Sequence, residues 1–482
     1  MPNPIAYLML AIWPIVCLVM FRKMPLERAL IWSILGGYLI LPPLAEFNLP
    51  LVPSMDKTSI PALSAALIIF FVLGKRFKVL PEYLPAKALT LLFVLMAIPT
   101  VLTNPDPIIF EVLENSDPIR YVTGILPGLS LRDTLSVLIS QVLTLLPFLL
   151  GRQFLGTALG MREILIALMV GALIYSIPSL IEIRFSPQMN VWVYGFFQHS
   201  FEQMMRGGGF RPIVFLPHGL WLAFFVVTAL LAAAALYKDA PVDQRFRMMM
   251  VVGYLAVLLV LCKSLASLAY GVALTPLILF TSPKTQVRVA IIFALIAVIY
   301  PVLRNGQLIP LDAIIAKATA FNPDRAQSLE YRFDNEQWLL WRASDKPWFG
   351  WGGWGRNLIR DGETGQILSI PDGRWIIVFG TWGRTGYIAE FGLLALPIFL
   401  TGWQMRGQRI NELSPYVVPL VLILSITLVD MLLNATLIPL TWLTCGAILG
   451  HLEQVRAAKP KPVLFPDGPV MTRAAPGPRS IL

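Results

Sequence analysis

Three kinds of side chain are scarce in these 482 residues, and each scarcity removes a class of function. The three cysteines, Cys17, Cys262 and Cys445, stand singly in or beside apolar runs. They have neither the pair spacing of a disulfide framework nor a metal-ligand pattern, and they read as small apolar core residues. Histidine is equally rare: His199, His218 and His451 are too few for a histidine-rich metal centre. Charge is sparse as well. Asp, Glu, Lys and Arg make up 14% of the chain against 56% hydrophobic residues, far from the mix of a soluble domain. No nucleotide-binding domain and no obvious internal repeat is visible. The start lacks a basic n-region and a small-residue cleavage site, so the first apolar run reads as retained.

What is present in quantity is apolar sequence, with a mean hydropathy of +0.70. A helix needs about 20 residues to cross a hydrocarbon core of about 30 Å, and about thirteen runs approach that length. They cover residues 5–21, 29–45, 60–74, 88–102, 134–150, 164–181, 213–237, 248–262, 268–281, 289–303, 385–403, 416–430 and 432–450. The last two could form one unit broken around Asp430 and Asn434. Backbone groups in lipid must be satisfied internally, so helices rather than open sheet are expected. The fold class is therefore all-α, a polytopic membrane protein. It divides into 1–303 with ten transmembrane helices, 304–374 as a large, partly helical outer loop, 375–450 with the last helices, and 451–482 as a tail. That tail is rich in Pro, Ala and Lys and reads as disordered.

Basic residues near helix ends are retained on the cytoplasmic side. Arg22, Lys23 and Arg28 follow the first run, Lys75, Arg76, Lys78 and Lys87 the third, and Arg152 and Arg162 the fifth. Lys238, Arg245 and Arg247 follow the seventh, Lys284 and Arg288 the ninth, and Arg406 and Arg409 the eleventh. The N-terminus is thus expected outside and the C-terminus inside, with 104–132, 184–211 and 304–374 facing outward. The net charge of +10 is then mainly a topology signal with tolerance of anionic lipid heads. Nucleic-acid binding is not implied.

Within the outer loop, Asn322, Pro323 and Asp324 read as a helix start, with a capping side chain, proline in the first position and an acid in the first turn. A helix from about Pro323 to Ser344 follows, stopped by Lys346 and Pro347. Leu329, Phe333 and Leu340 share its apolar face, while Arg325, Arg332 and Glu336 share another. The spacing of four pairs Arg332 with Glu336. Such a pair is either a solvated salt bridge worth a few tenths of a kcal/mol or an anion-binding arginine beside a carboxylate that acts on a hydroxyl. Arg342, Lys346, Arg356 and Arg360 add cations to the same stretch.

Trp348, Trp351 and Trp354 alternate with glycines in WFGWGGWG. They form either an interfacial aromatic belt or a platform for sugar rings beside an amide nest for phosphate. Asp372 with Gly373 is a turn signal, and Arg384, at a helix entry, reads as a snorkelling residue. An earlier outer segment, RGGGFRP, sets Arg206 and Arg211 around three glycines, with His218 shortly after. It is either a phosphate clamp or a flexible turn. Lys263 and Ser264 occupy a tight outer turn, where Lys263 is either an anchor or a third surface cation.

The sequence RAQSLEYRFDNEQWLLWRASDKPWFGWGGWG, Arg325 to Gly355, resembles the large periplasmic loop of the O-antigen ligase and O-antigen polymerase superfamily. The arginine- and glycine-containing segment before His218 and the polar turn at Lys263, Ser264 and Ser267 fit in order, and the resemblance covers about 184–400. It implies a metal-independent glycosyltransferase of the bacterial inner membrane that needs no cofactor. Its partners would be an undecaprenyl-diphosphate-linked glycan donor and a glycan or lipid-linked acceptor, with membrane lipid around it; a chain-length regulator stays open. Arg206, Arg211, Lys263, Arg332, Arg342 and Arg356 would hold the diphosphate, and Trp348, Trp351 and Trp354 the glycan. Ligases of that family are thought to use a histidine of the large loop as base, and none occurs between His218 and His451 here. Either Glu336 or Asp334 takes that role, or His218 reaches in, or no strong base is needed. This departure, and Lys263 where Ser-Arg-Gly is often found, favour a polymerase over a lipid A core ligase. A flippase for the lipid-linked repeat is the non-enzymatic alternative, disfavoured by the scarcity of mid-membrane ionisable groups.

Overall fold

The computed structural model describes all residues except 49–52, 77, 115–116, 322, 363, 407–411 and 459–482, and gives only the backbone of 111–114, 120–123, 321, 324 and 325. The chain is dominated by helix. In order these are α1 (Pro4–Lys23), α2 (Leu26–Ile40), α3 (Ser59–Leu67, continued by a π turn, Ile68–Val72), α4 (Leu84–Leu95), α5 (Ala97–Leu102), α6 (Leu131–Phe154), α7 (Ala158–Phe185) and α8 (Met189–Tyr194). Then come α9 (Gly219–Asp239), α10 (Val242–Leu261), α11 (Leu265–Phe280), α12 (Pro283–Asn305), α13 (Leu311–Phe321), α14 (Pro323–Ser344), α15 (Arg374–Gln404), α16 (Val417–Asp430) and α17 (Pro439–Ala457).

Among the described residues, eight helical segments are long and apolar enough to cross a membrane: α1, α4 with α5, α6, α7, α9, α10, α12 and α15. Three more, Ser59–Val72, α11 and α16, are apolar but shorter. Local sequence starts several of them. Ser130 and Asp133 form a capping box on α6, with Ser130 N donating to Asp133 Oδ2 at 2.7 Å. Ser282 caps α12 with Pro283 behind it.

Contacts between connections sort the helix ends into two groups. At one end Asn3 N donates to Tyr194 O (2.9 Å), Lys57 Nζ to Phe215 O (2.9 Å), Lys263 Nζ to Arg206 O (2.7 Å) and Arg374 N to Asn434 O (3.2 Å). At the other, Arg28 pairs with Glu163 (2.8 Å), Arg152 pairs with Glu453 (2.8 Å) and donates to Lys78 O, and Lys238 donates to Thr281 O (3.0 Å). Successive connections alternate between these ends.

Two helix contacts depend on glycine. Gly446 and Gly450, one turn apart on α17, pack on α6 so closely that an added Cβ would lie 2.0 Å from Phe148 O and 2.0 Å from Arg152 O. This is the small-residue spacing that lets membrane helices approach backbone to backbone. In α15, Gly383 takes φ 66 and breaks the helix, leaving a short first segment from Arg374 ahead of the main one.

Several sequence expectations need correction. Sheet is present, as two small antiparallel hairpins: β1 (Ile108–Glu114) with β2 (Arg120–Leu126), and β3 (Met205–Arg206) with β4 (Gly209–Phe210). Both lie in the connections 104–132 and 184–211, outside the apolar runs, where backbone groups need no helix to be satisfied. Helices α8 and α13 lie in the connections 184–211 and 304–374, at positions where the apolar runs and caps marked no helix. The last two apolar runs are separate helices with a turn between them at Asp430 to Asn434, held by Asn434 Nδ2 and Thr436 Oγ1 donating to Asp430 at 3.1 and 2.6 Å. The tail does not begin at His451. α17 continues to Ala457 because His451 is buried, with its Nε2 accepting from Ser414 N at 3.1 Å. The expected tail beyond 458, the Asn322 cap, the Arg325 side chain and Arg409 lie outside the described residues.

Replacing Gly446 or Gly450 with leucine should overpack the contact of α6 with α17 at a cost of about 1–3 kcal/mol or more. Gly253→Ala, where nothing lies within 4 Å, should stabilise α10 by about 0.5–1 kcal/mol. Thermal unfolding of the three variants in lipid nanodiscs tests both signs.

Candidate functional site

The outer helix α14 runs from Pro323 to Ser344 and is fastened to the bundle by one carboxylate. Glu336, 5% exposed, accepts from Arg304 Nε at 2.6 Å, Trp375 Nε1 at 3.0 Å and Tyr300 OH at 3.2 Å. Arg304 also donates to Gln337 Oε1 (2.9 Å) and Phe333 O (3.2 Å), so α12, α14 and α15 meet here. Burial holds the Glu336 carboxyl above its ordinary range, against the lowering effect of Arg304, Trp375 and Tyr300. The Arg332–Glu336 pair expected from spacing does not form. An i,i+4 carboxylate contributes little at a surface, whereas Arg304 offers a buried, multiply bonded partner.

Arg332 turns instead to the α15 side. Its Nε lies 3.3 Å from Asp372 Oδ2, and its Nη1 donates to Leu433 O (3.3 Å) and Asn434 Oδ1 (3.2 Å). Asp372 stays 37% exposed at its side chain. Burial raises its carboxyl above the usual range, while Arg332 and His199 pull it down.

The connection 199–218 faces this pair. β3 and β4 are joined by Gly207 (φ 52) and Gly208 (φ 70), both left-handed as a two-residue hairpin turn requires. Beyond it, Ile213 N and Val214 N donate to the buried Glu182 of α7 at 2.7 and 2.8 Å, although Val214 has φ 52, a strained conformation for a β-branched residue. That anchor sets the buried Arg211, whose Nη2 donates to Lys263 O at 3.0 Å. Lys263, also left-handed at φ 52, donates to Arg206 O, so the hairpin and the turn between α10 and α11 clasp each other.

His218 caps α9. Its Nδ1 accepts from Leu220 N at 2.9 Å, which puts the ring proton on Nε2, 3.2 Å from Gln203 Oε1. The ring stacks edge-on against His199, centroids 4.4 Å apart. Burial pushes its pKa down to about 3, aided by His199, Arg211, Arg332 and Arg206. His218 is therefore a neutral cap inside a cationic cluster. As a base at Nε2 it would have to give up the bond that starts α9.

The tryptophan and glycine segment is a different place, beyond the end of α14, where it packs on Arg342, ten residues along that helix from Arg332 and thus about 15 Å away. Two of its amides are not open for the expected anion nest. Trp351 N donates to Gly380 O and Gly352 N to Thr381 O, both at 2.9 Å, because the break at Gly383 frees those α15 carbonyls. Gly350 is required there: a Cβ would sit 2.5 Å from Thr381 backbone. Arg356 is buried and spends its guanidinium on Pro127 O (2.7 Å), Asp106 O (2.9 Å) and Trp351 O (3.3 Å). Arg342 stacks on Trp351 at 3.4 Å and donates to Arg356 O at 3.2 Å, while Trp351 Nε1 donates to Arg342 O at 2.7 Å. Arg342, Arg356 and Trp351 thus brace the loop through contacts within the protein. Trp348 and Trp354 remain exposed, at 56% and 57%.

The structure thus gathers Arg206, Arg211, Lys263, Arg332 and His218, and adds His199 and Asp372, which the sequence offered only as an isolated histidine and a turn residue. Glu336 is buried behind this group. Asp334, two positions from Glu336 and hence about 200° around the helix, is exposed on another face. Among the described residues no three His, Cys, Asp or Glu side chains come together as a metal site. No family model matches the chain, and neither does any curated protein.

Removing either partner of the Arg304–Glu336 pair leaves a buried charge alone, so Glu336→Ala or Arg304→Ala should cost about 3–5 kcal/mol. Arg332→Ala, at a partly exposed pair, should cost about 1 kcal/mol or less. Thermal midpoints in nanodiscs order these variants.

Acid should weaken the fold through His218. Between its ordinary value of 6.5 and about 3, the unfolded chain takes up the proton and the folded chain does not. The stabilisation from the neutral ring is complete above pH 6.5 and drains as pH falls through that window. His218→Asn keeps a capping side chain and should flatten this part of the stability profile. A profile as steep as that of the unaltered protein would contradict it.

Proposed function

We propose that this protein is a membrane glycosyltransferase that polymerises undecaprenyl-diphosphate-linked oligosaccharide repeats of an exopolysaccharide or O-antigen at the periplasmic face of the bacterial inner membrane. The observation that carries the reading is the convergence of Arg206, Arg211, Lys263 and Arg332 at one end of an apolar helical bundle, with the half-exposed Asp372 among them. On this reading the chain crosses the membrane thirteen times. The arginine end faces the periplasm with the N-terminus, and the end holding Arg28, Arg152 and Lys238 faces the cytoplasm, in keeping with the retention of basic residues there.

The chemistry needs little beyond charge and position. The acceptor hydroxyl oxygen bonds to the anomeric carbon of the donor glycan while the bond from that carbon to the phosphate oxygen breaks. The diphosphate leaves with the electron pair. Guanidinium and ammonium groups stabilise its developing charge, by Arg206, Arg211, Lys263 and Arg332 in this site. The hydroxyl proton passes to a base.

Asp372 is better suited to that role than the candidates drawn from sequence. It is accessible, and burial raises its affinity for a proton. Glu336 is saturated by Arg304, Trp375 and Tyr300 and acts as a positioning residue. His218 has its acceptor nitrogen occupied, and Asp334 faces elsewhere.

In cells, Arg332→Ala and Arg211→Ala should abolish polymer while single repeat units still form, a loss on the order of 10²-fold or more. Asp372→Asn should reduce polymer by about 10²-fold or more at unchanged protein level. Full-length polymer in the well-expressed arginine variants would overturn the reading. Transfer to lipid A core, absent for a lipid-linked acceptor, would move it to a ligase.

A further inference from the structure

Beside the arginine cluster, at the same end of the bundle, a cavity of about 630 Å³ opens between α6, α15, α17 and the segment before α3. That size is ordinary for a small-ligand site. Its α6 wall carries Ser136, Ser140 and Thr144, spaced by four, so their hydroxyls line one face of the helix. Thr144 Oγ1 donates to Ser140 O at 2.9 Å. Trp354, Trp382 and Trp442 line it as well.

Trp442 is 2% exposed and wedged edge-on against Phe93 and Phe148, and among the described residues its buried Nε1–H has no acceptor. Trp354 is held in place by a left-handed backbone, φ 58, which a bulky residue adopts only under constraint.

The cavity carries no unbalanced positive charge. Its one arginine, Arg374, is gripped by Glu390, with Nε on Oε1 at 2.7 Å and Nη2 on Oε2 at 2.6 Å. Asp56 at the rim is engaged by Thr58 and Ser59. A diphosphate would find no counter-charge here, and a lipid tail would strand the hydroxyls. Flat indole faces interleaved with hydroxyls, without unbalanced positive charge, match the alternating apolar faces and hydroxyl edges of a sugar ring.

We propose that this cavity binds a neutral saccharide at a site distinct from the cationic cluster. Its identity as the acceptor subsite rests on the transferase reading; the binding itself does not. The two sites adjoin through Asn434, whose side-chain oxygen accepts from Arg332 and whose carbonyl accepts from Arg374 N. A saccharide in the cavity therefore lies next to the segment that carries Asp372.

The test is saturation-transfer NMR on the full chain in nanodiscs, using a panel of neutral glucose-, galactose- and mannose-based trisaccharides. A second arm puts the same glycans on a lipid in the nanodisc to compete with the free ones. We expect saturable binding by at least one member, weakened tenfold or more by Ser140→Leu, which fills the cavity, and by Trp354→Ala. Arg332→Ala should leave it intact. Competition by the lipid-borne glycan would assign the natural ligand to a glycolipid; no competition would assign it to a free saccharide. No saturable binding across the panel, or binding lost in Arg332→Ala but kept in Ser140→Leu, overturns the proposal. Binding that persists while all polymerase activity proves absent would sink the transferase reading alone.

Discussion

Glu336 joins three helices at one buried carboxylate, and the geometry of everything outside the bundle follows from that junction. Arg304 comes from the end of α12, Trp375 from the start of α15, and Glu336 from the middle of the outer helix α14. A buried ion pair of this kind returns little net stability but is costly to break. It thereby fixes the rotation of α14. Once Glu336 points inward, Arg332, one turn earlier, is carried toward Asp372 and Asn434 rather than toward Glu336. Arg342, further along, is delivered onto the face of Trp351.

That rotation divides the cations of the outer stretch into two kinds. Arg342 and Arg356 are spent on backbone carbonyls and an indole ring, stiffening a loop that leans on the broken α15. Arg332 joins Arg206, Arg211 and Lys263, which come from connections distant in sequence; a separate buried acid, Glu182, anchors the backbone just after Arg211, and Lys263 clasps the Arg206 carbonyl. Burial, aided by the positive charge gathered there, keeps His218 neutral far below its ordinary range. That charge also suits the site to attract a phosphate. The adjoining neutral cavity has the opposite character, with hydroxyls and indoles and its only arginine compensated.

Much of the architecture was legible because the signals are local. Apolar runs, the proline before α14 and Pro347 after it marked the helices, and the outer helix spans Pro323 to Ser344 as those residues indicated. The site was legible only in part, for a matching reason. Spacing along one helix could not reveal that Glu336 would meet Arg304, 32 residues earlier, nor that α15 would break at Gly383 and draw the glycine amides onto its carbonyls. Asp372 had the signature of a turn and nothing more. Its environment is assembled from α14, the 199–218 connection and the turn after α16, none of which is near it in sequence. The β3–β4 hairpin was missed because two strands of two residues around Gly207 and Gly208 leave almost no period to read.

Reconstitution bears most directly on whether charge at this end of the bundle serves bond formation. Purified protein in nanodiscs would be given undecaprenyl-diphosphate-linked oligosaccharide repeats alone, and mass spectrometry would count repeats per lipid and free lipid diphosphate. We expect lipid-linked chains of two or more repeats, with one undecaprenyl diphosphate released for each glycosidic bond. Repeats that stay single, with no diphosphate released by active, folded protein, would contradict the assignment.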